Sequence, residues 1–155
     1  MIIKINYYHN KMNEISYTLD DFDYEISNNT LIVKRKEIEV SADLLSKTDL
    51  TYSIILSATT NEGIYPTSYK GILDILLCNF TAKKLKEISL FTSKIKDGEY
   101  EYDGYYYLEK LNISYITLSS NDSKKEILNL LNHLDIKMEL KIKLNNNRII
   151  IFNYN

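Results

Sequence analysis

Asp20, Asp21 and Asp23 stand within four residues and are the first place in this chain where side-chain chemistry could converge. Clustered carboxylates are hard oxygen ligands, and a divalent cation held by them could activate water for hydrolysis. Against that, Phe22, Tyr24 and Ile26 alternate with Asp21 and Asp23, the pattern of a strand with one wet face. Cys78 and His133 are the second option, a thiol nucleophile with an imidazole base. Cys78 lies in I-L-L-C-N-F, surroundings that raise a thiol pKa and make it inert. His133 follows a leucine stripe, where a helix end favours a cation, so its place has a structural reason. One Cys and two His cannot build a structural zinc site, and Gly63, Gly71, Gly98 and Gly104 are too scattered for a phosphate loop. The residues therefore predict no enzyme and no cofactor. The alternative is a metal-dependent hydrolase of unrecognised type using Asp20, Asp21 and Asp23.

The most distinctive stretch is 96–110, K-D-G-E-Y-E-Y-D-G-Y-Y-Y-L-E-K. Asp103 and Gly104 signal a type I′ hairpin turn, which needs positive φ at both central positions. Tyr100 and Tyr102 before the turn, and Tyr105, Tyr106 and Tyr107 after it, are strand-prone aromatics. Glu99 and Glu101 alternate with the first two, which predicts one anionic and one aromatic face. Such a ribbon has little purely apolar side chain to bury, so it reads as a contact surface. The chain holds 14 Tyr and no Trp. Compositional bias toward Tyr, Asn, Ile and Lys accounts for part of that, since Tyr also simply fills strand positions. As a surface, however, Tyr offers rigid amphipathic area at low entropic cost, and Asp97, Glu99, Glu101 and Asp103 would complement a basic partner.

The elements that must position these residues follow from periodicity. Strands are predicted over 1–8 and 14–19 and at Phe22, Tyr24 and Ile26, with a turn at Asn28 and Asn29. Residues 30–40 read as one long strand whose phase slips, since Leu31 and Val33 are odd and Ile38 and Val40 even; a β-bulge near 34–36 reconciles them. The first third is thus an antiparallel meander. One helical turn at 42–46 precedes a strand over 50–58 with Tyr52, Ile54 and Leu56 on one face. Thr67 or Ser68 caps a helix to Phe80, with a strand as the competing assignment for 72–77. Thr81 caps a helix over 82–95 that Gly98 stops. After a strand over 113–118, Ser120 or Asp122 caps a helix with Ile127, Leu128, Leu130, Leu131 and Leu134 as its stripe and Glu126 near its positive end. Met138, Leu140, Ile142 and Leu144 alternate with Lys137, Glu139, Lys141 and Lys143, and residues 148–152 return. The fold class is α+β, a mostly antiparallel sheet with two or three helices on one face, forming a single domain over residues 1–155.

A net charge of −2 leaves no electrostatic footprint for nucleic acid. No apolar run approaches the roughly 20 residues of a membrane span, and no signal peptide is visible, so a cytoplasmic location is expected. Edge pairing through 1–8 or 148–152 would give a homo-oligomer. In size, in its Asn, Ile, Lys and Tyr-rich composition and in lacking catalytic residues, the chain resembles the immunity proteins of bacterial toxin–immunity pairs, such as those of contact-dependent growth inhibition. The resemblance implies a one-to-one complex with a cognate toxin domain, often a basic nuclease, whose active site is covered. On that reading Tyr100, Tyr102, Tyr105, Tyr106 and Tyr107 anchor the complex, while Glu99, Glu101 and Asp103 lie where substrate phosphates would.

Overall fold

The computed structural model describes residues 2–7, 13–18 and 22–155. Backbone contacts divide the chain into two compact units, Met1–Ile38 and Glu39–Asn155. In the first, β1 (Ile2–Tyr7) pairs antiparallel with β2 (Asn13–Thr18), and β3 (Phe22–Ser27) with β4 (Thr30–Arg35). Asn28 and Asn29 take φ of 50° and 60°, so the I′ geometry that positive φ at both central positions demands is built here. Asn tolerates the left-handed region because its short amide bonds locally. The expected meander is instead two separate two-stranded sheets among the described residues. The expected strand over 30–40 is also corrected. It is not one bulged strand: Lys36 interrupts it, and β5 (Glu37–Val40) enters a different sheet. Asp20 and Asp21 lie outside the described residues.

α1 (Ala42–Lys47) is capped by Ser41, whose Oγ accepts from Leu44 N–H. β6 (Ile54–Thr60) and β7 (Gly63–Ile64) form a tight hairpin. α2 (Tyr69–Leu77) starts at Ser68, whose Oγ accepts from Gly71 N–H at 3.0 Å. Its buried stripe, Ile72, Leu73, Leu76 and Leu77, settles residues 72–77 as helix. A Cβ at Gly71 would fall 2.7 Å from Pro66 Cβ, so the loop before the helix can close only over glycine.

α3 (Ala82–Ile88) is capped by Thr81 as predicted, but it ends seven residues early. Ser89 is extended, a 3-10 turn covers Thr92–Lys94, and β8 (Ile95–Asp97) follows. β9 (Tyr105–Leu108) and β10 (Ile113–Ile116) complete a small sheet of order β8-β10-β9. α4 (Ser120–Leu131) is capped by Ser119 rather than by Ser120 or Asp122, since the Ser119 side chain accepts from Asp122 N–H, and it buries Ile127, Leu130 and Leu131. Glu126 sits in its middle and is fully buried, rather than near its start. β11 (Met138–Lys143) keeps the predicted alternation, with Met138, Leu140 and Ile142 inward, and β12 (Ile149–Tyr154) returns beside it.

The five-stranded sheet runs β5-β12-β11-β6-β7. β12 therefore lies between two neighbours and offers no edge for pairing between subunits. Tyr52, Ile54 and Leu56 share an exposed face, while Ile55 and Ala58 are buried. The register against β11 skips Leu56, and that extra residue exchanges the faces of the strand. α2 packs on α4, and α1 touches both α4 and β12. Leu73, Leu76, Leu130, Leu131, Leu140 and Phe152 fill one core, each contributing about 1.5–3 kcal/mol by leaving water. The class is α+β with mostly antiparallel sheets and four α-helices, one more than the upper expectation.

Candidate functional site

Residues 98–104 join the two edges of the small sheet. β8 pairs Asp97 with Ile113, at the start of β10, whereas β9 begins with Tyr105 opposite Ile116, at its end. The connection must therefore run along one face of β10 instead of turning back as a hairpin. This corrects the hairpin expected at Asp103 and Gly104. A turn exists there, closed by Tyr105 N–H to Tyr102 C=O at 3.2 Å, but only Gly104 takes positive φ, at +84°. The pattern is that of a turn with one left-handed residue, as in type II.

Ser114 pins this crossing. It is fully buried in the centre of β10, and its Oγ donates to Gly98 C=O at 2.7 Å while accepting from Tyr100 N–H at 2.9 Å. Gly98, at φ +68°, donates to Asn112 C=O, and Thr117 N–H reaches Gly104 C=O. Ser114 was not singled out from the sequence, where it reads as one more polar residue in an alternating strand.

On this frame the eight predicted contact residues divide. Glu99, Glu101, Tyr102 and Asp103 are exposed, Tyr102 at 69 %. The Tyr100 ring lies between Tyr102, 4.6 Å away and tilted, and Tyr105, 4.9 Å away and edge-on. Such offset and edge contacts suit aromatic quadrupoles, and the three rings form one cluster. Lys96 Nζ stands 5.7 Å from the Tyr100 ring. Tyr107 is exposed and donates to Asn112 Oδ1 at 2.8 Å. Tyr106, on the opposite face of β9, is drawn inward against Tyr115. Lys70 Nζ sits 3.8 Å above its ring and donates to Asp74 Oδ2 at 2.7 Å. Burial first, and then the Asp74 carboxylate, push the Tyr106 phenol well above its usual range. Tyr106 is thus placed with the interior, and the other seven residues with the loop and its flank.

Among the described residues Glu99, Glu101 and Asp103 form no ion pair. Asp97 does, with Lys86 at 2.5 Å, in an exposed setting where such pairs contribute little. No group of three His, Cys, Asp or Glu able to hold a metal occurs among the described residues. Cys78 is a free, half-buried thiol at the C-cap of α2, and His133 is exposed beyond the end of α4. Asp23 is exposed and lies opposite Lys34 in the β3–β4 register. A recess of about 420 Å³ lined by Glu62, Asp74, Ile75, Cys78, Asn79 and Lys110 brings acid, thiol and ammonium together, but its Asp74 is already engaged by Lys70. No helix among the described residues is long and apolar enough to cross a membrane. The 98–104 crossing carries carboxylates and phenols on its exposed side.

Compared with known proteins, the chain matches no protein family, no curated sequence and no solved structure.

Proposed function

We propose that the chain binds a basic protein partner through residues 97–107, and that it does so as an immunity protein covering the active site of a cognate toxin domain. One observation carries this reading: three exposed carboxylates and an exposed tyrosine ride on a loop that a buried serine holds in place. A loop ordered before binding loses little conformational entropy on docking, which is where small interfaces lose most of their affinity. Tyr102, backed by the rings of Tyr100 and Tyr105, is a rigid anchor, and Glu99, Glu101 and Asp103 would speed encounter with a cationic surface.

The test is growth rescue. The product of the neighbouring reading frame is induced with and without this chain, and complex formation is followed at rising salt. Rescue by the native chain, lost in the triple variant Glu99→Lys, Glu101→Lys, Asp103→Lys, supports the reading. An association rate that falls as salt rises supports it too, since exposed charges are screened beyond roughly 8–10 Å. A neighbouring product that is harmless, or rescue that survives the triple variant, rejects it.

A further inference from the structure

Asp-Gly occurs twice in the sequence, at Asp97–Gly98 and Asp103–Gly104, and Asn-Gly does not occur. Glycine places no Cβ beside its own amide nitrogen, so that nitrogen can approach the Cγ of the aspartate before it. Attack forms an N–Cγ bond, and the hydroxyl of the carboxylic acid leaves as water with the amide proton. Water then opens the five-membered imide at either carbonyl. Opening at Cγ restores aspartate. Opening at the main-chain carbonyl leaves the backbone running through the side chain, as isoaspartate. Both pairs hold the same reacting groups, and their settings in the fold separate them.

Asp97 closes β8 and lies opposite Ile113 in the antiparallel register. Ring closure must turn an aspartate about its ψ, and here that turn pulls Asp97 out of the ladder. The nucleophile, Gly98 N–H, is bonded to Asn112 C=O at 2.8 Å, and Gly98 C=O accepts from buried Ser114. Reaction at this pair must wait for the small sheet to open locally. Asp103 and Gly104 are exposed, in the turn closed by Tyr105 N–H to Tyr102 C=O at 3.2 Å. A turn closed between its first and fourth residues leaves the N–H of its third residue outside that bond. Gly104 is the third residue, and glycine adopts its φ of +84° without steric cost. Turning Asp103 gives up one long hydrogen bond, while Thr117 N–H, 2.6 Å from Gly104 C=O, holds the far side of the glycine.

We propose that Asp103–Gly104 is a self-modifying site, converting through a succinimide to isoaspartate in the folded protein while Asp97–Gly98 stays intact. The conversion needs no reagent but water, since one water leaves on ring closure and one returns on opening. Isoaspartate adds a methylene to the backbone between two anchors. On one side Ser114 holds Gly98 and Tyr100, and on the other Thr117 holds Gly104. With both ends fixed, the added length bows out at residue 103 and draws the Tyr102 ring from its 4.6 Å contact with Tyr100. The carboxylate moves as well, from the end of a side chain to the α-carbon. The site therefore reshapes an acidic surface with time, and its chemistry is independent of what that surface binds.

The experiment ages the full-length chain for several weeks in mildly acidic buffer made with heavy-oxygen water, where a fraction of each carboxylate is protonated and can release water. Peptides are then mapped by mass spectrometry with a protease that cleaves before aspartate but not before isoaspartate. Expected are heavy-oxygen uptake and blocked cleavage at residue 103, exceeding those at residue 97 at least about tenfold, because the paired site reacts only through local opening. In urea the two sites should react at similar rates, which isolates the contribution of the fold. Asp103→Glu, at an exposed position, should abolish the modification there, because its six-membered imide closes far more slowly. The proposal is overturned by equal modification of both sites in the folded chain, or by faster reaction at residue 97. It is equally overturned by an unmodified residue 103 in the aged folded chain, whether or not the urea sample reacts.

Discussion

The carboxylate of Glu126, buried in the middle of α4, accepts from the N–H of Leu90 at 3.0 Å, joining residues 36 apart in the chain. Asn129, one turn further on, donates to Ile88 C=O at 2.9 Å. Together they satisfy backbone groups at the end of α3 that would otherwise continue into another helical turn. That is why α3 stops at Ile88 and the chain is free to form β8.

Burial pushes the Glu126 carboxyl above its usual range, against the opposing pull of Leu90 N–H, Ser89 and Asn129. A folded pKa above the unfolded value means the stability tied to this group is complete below about 4.5 and declines as pH rises through the folded pKa. Glu126→Gln keeps an acceptor for Leu90 without the charge. Its stability relative to the native chain should therefore climb from about pH 4.5 and level off once the pH has passed the folded pKa, as urea titrations would show. Glu126→Ala orphans the Leu90 N–H and should cost about 1–3 kcal/mol. A stability gap for Glu126→Gln that is flat with pH would show that the carboxylate is not desolvated.

Ser114 should behave as a clamp on the 98–104 loop. Ser114→Ala removes the Oγ bonds to Gly98 C=O and Tyr100 N–H and leaves both groups to find water. The expected loss is about 1–3 kcal/mol, with amide exchange at Tyr100 accelerated by more than at the β11–β12 pair. Ser114→Cys, nearly isosteric, should recover packing but not loop protection. Equal exchange at Tyr100 in all three proteins would mean the loop is held by its tyrosine rings instead.

Much of this architecture was legible, and what was not has a shared cause. Met138 to Lys143 alternates strictly, so the strand and its inward face are local properties. Ser68 and Thr81 cap the helices they were expected to cap, because capping needs only a few residues. The failures involve partners far away in sequence. The end of α3 depends on Glu126, and the break at Lys36 on which sheets claim either side. In the 96–110 stretch the acidic and aromatic character was readable, but the path was not. Turn chemistry at Asp103 and Gly104 suits several connections, and only the pairing of both β8 and β9 with β10 selects the crossing.

Asp49 lies at the opposite extreme from Glu126. Bonds from Asn121, then from the Thr51 backbone and hydroxyl, hold its carboxyl down to about 2. A depressed folded pKa gives stability that is present above the unfolded value of 3.8 and lost as pH falls toward 2. The stability difference between the native chain and Asp49→Asn should therefore be constant above pH 4 and close across that acid window. Asn121→Ala should shift the window upward, because it removes the first of the three bonds. An acid titration of the Asp49 carboxyl by NMR checks both directly.

Tyr52 gives the sharpest separation of strain from contact. At φ 58° an L side chain other than Asn or Gly loses about 1 kcal/mol or more, and an 82 % exposed ring recovers little of that from burial. Tyr52→Asn should therefore stabilise the chain by about 0.5–1 kcal/mol, whereas Tyr52→Ala, still strained, should gain nothing. Paired denaturant melts of the two variants isolate the backbone contribution, because both remove the ring. Equal stabilities would place the conformation of Tyr52 outside any strain account.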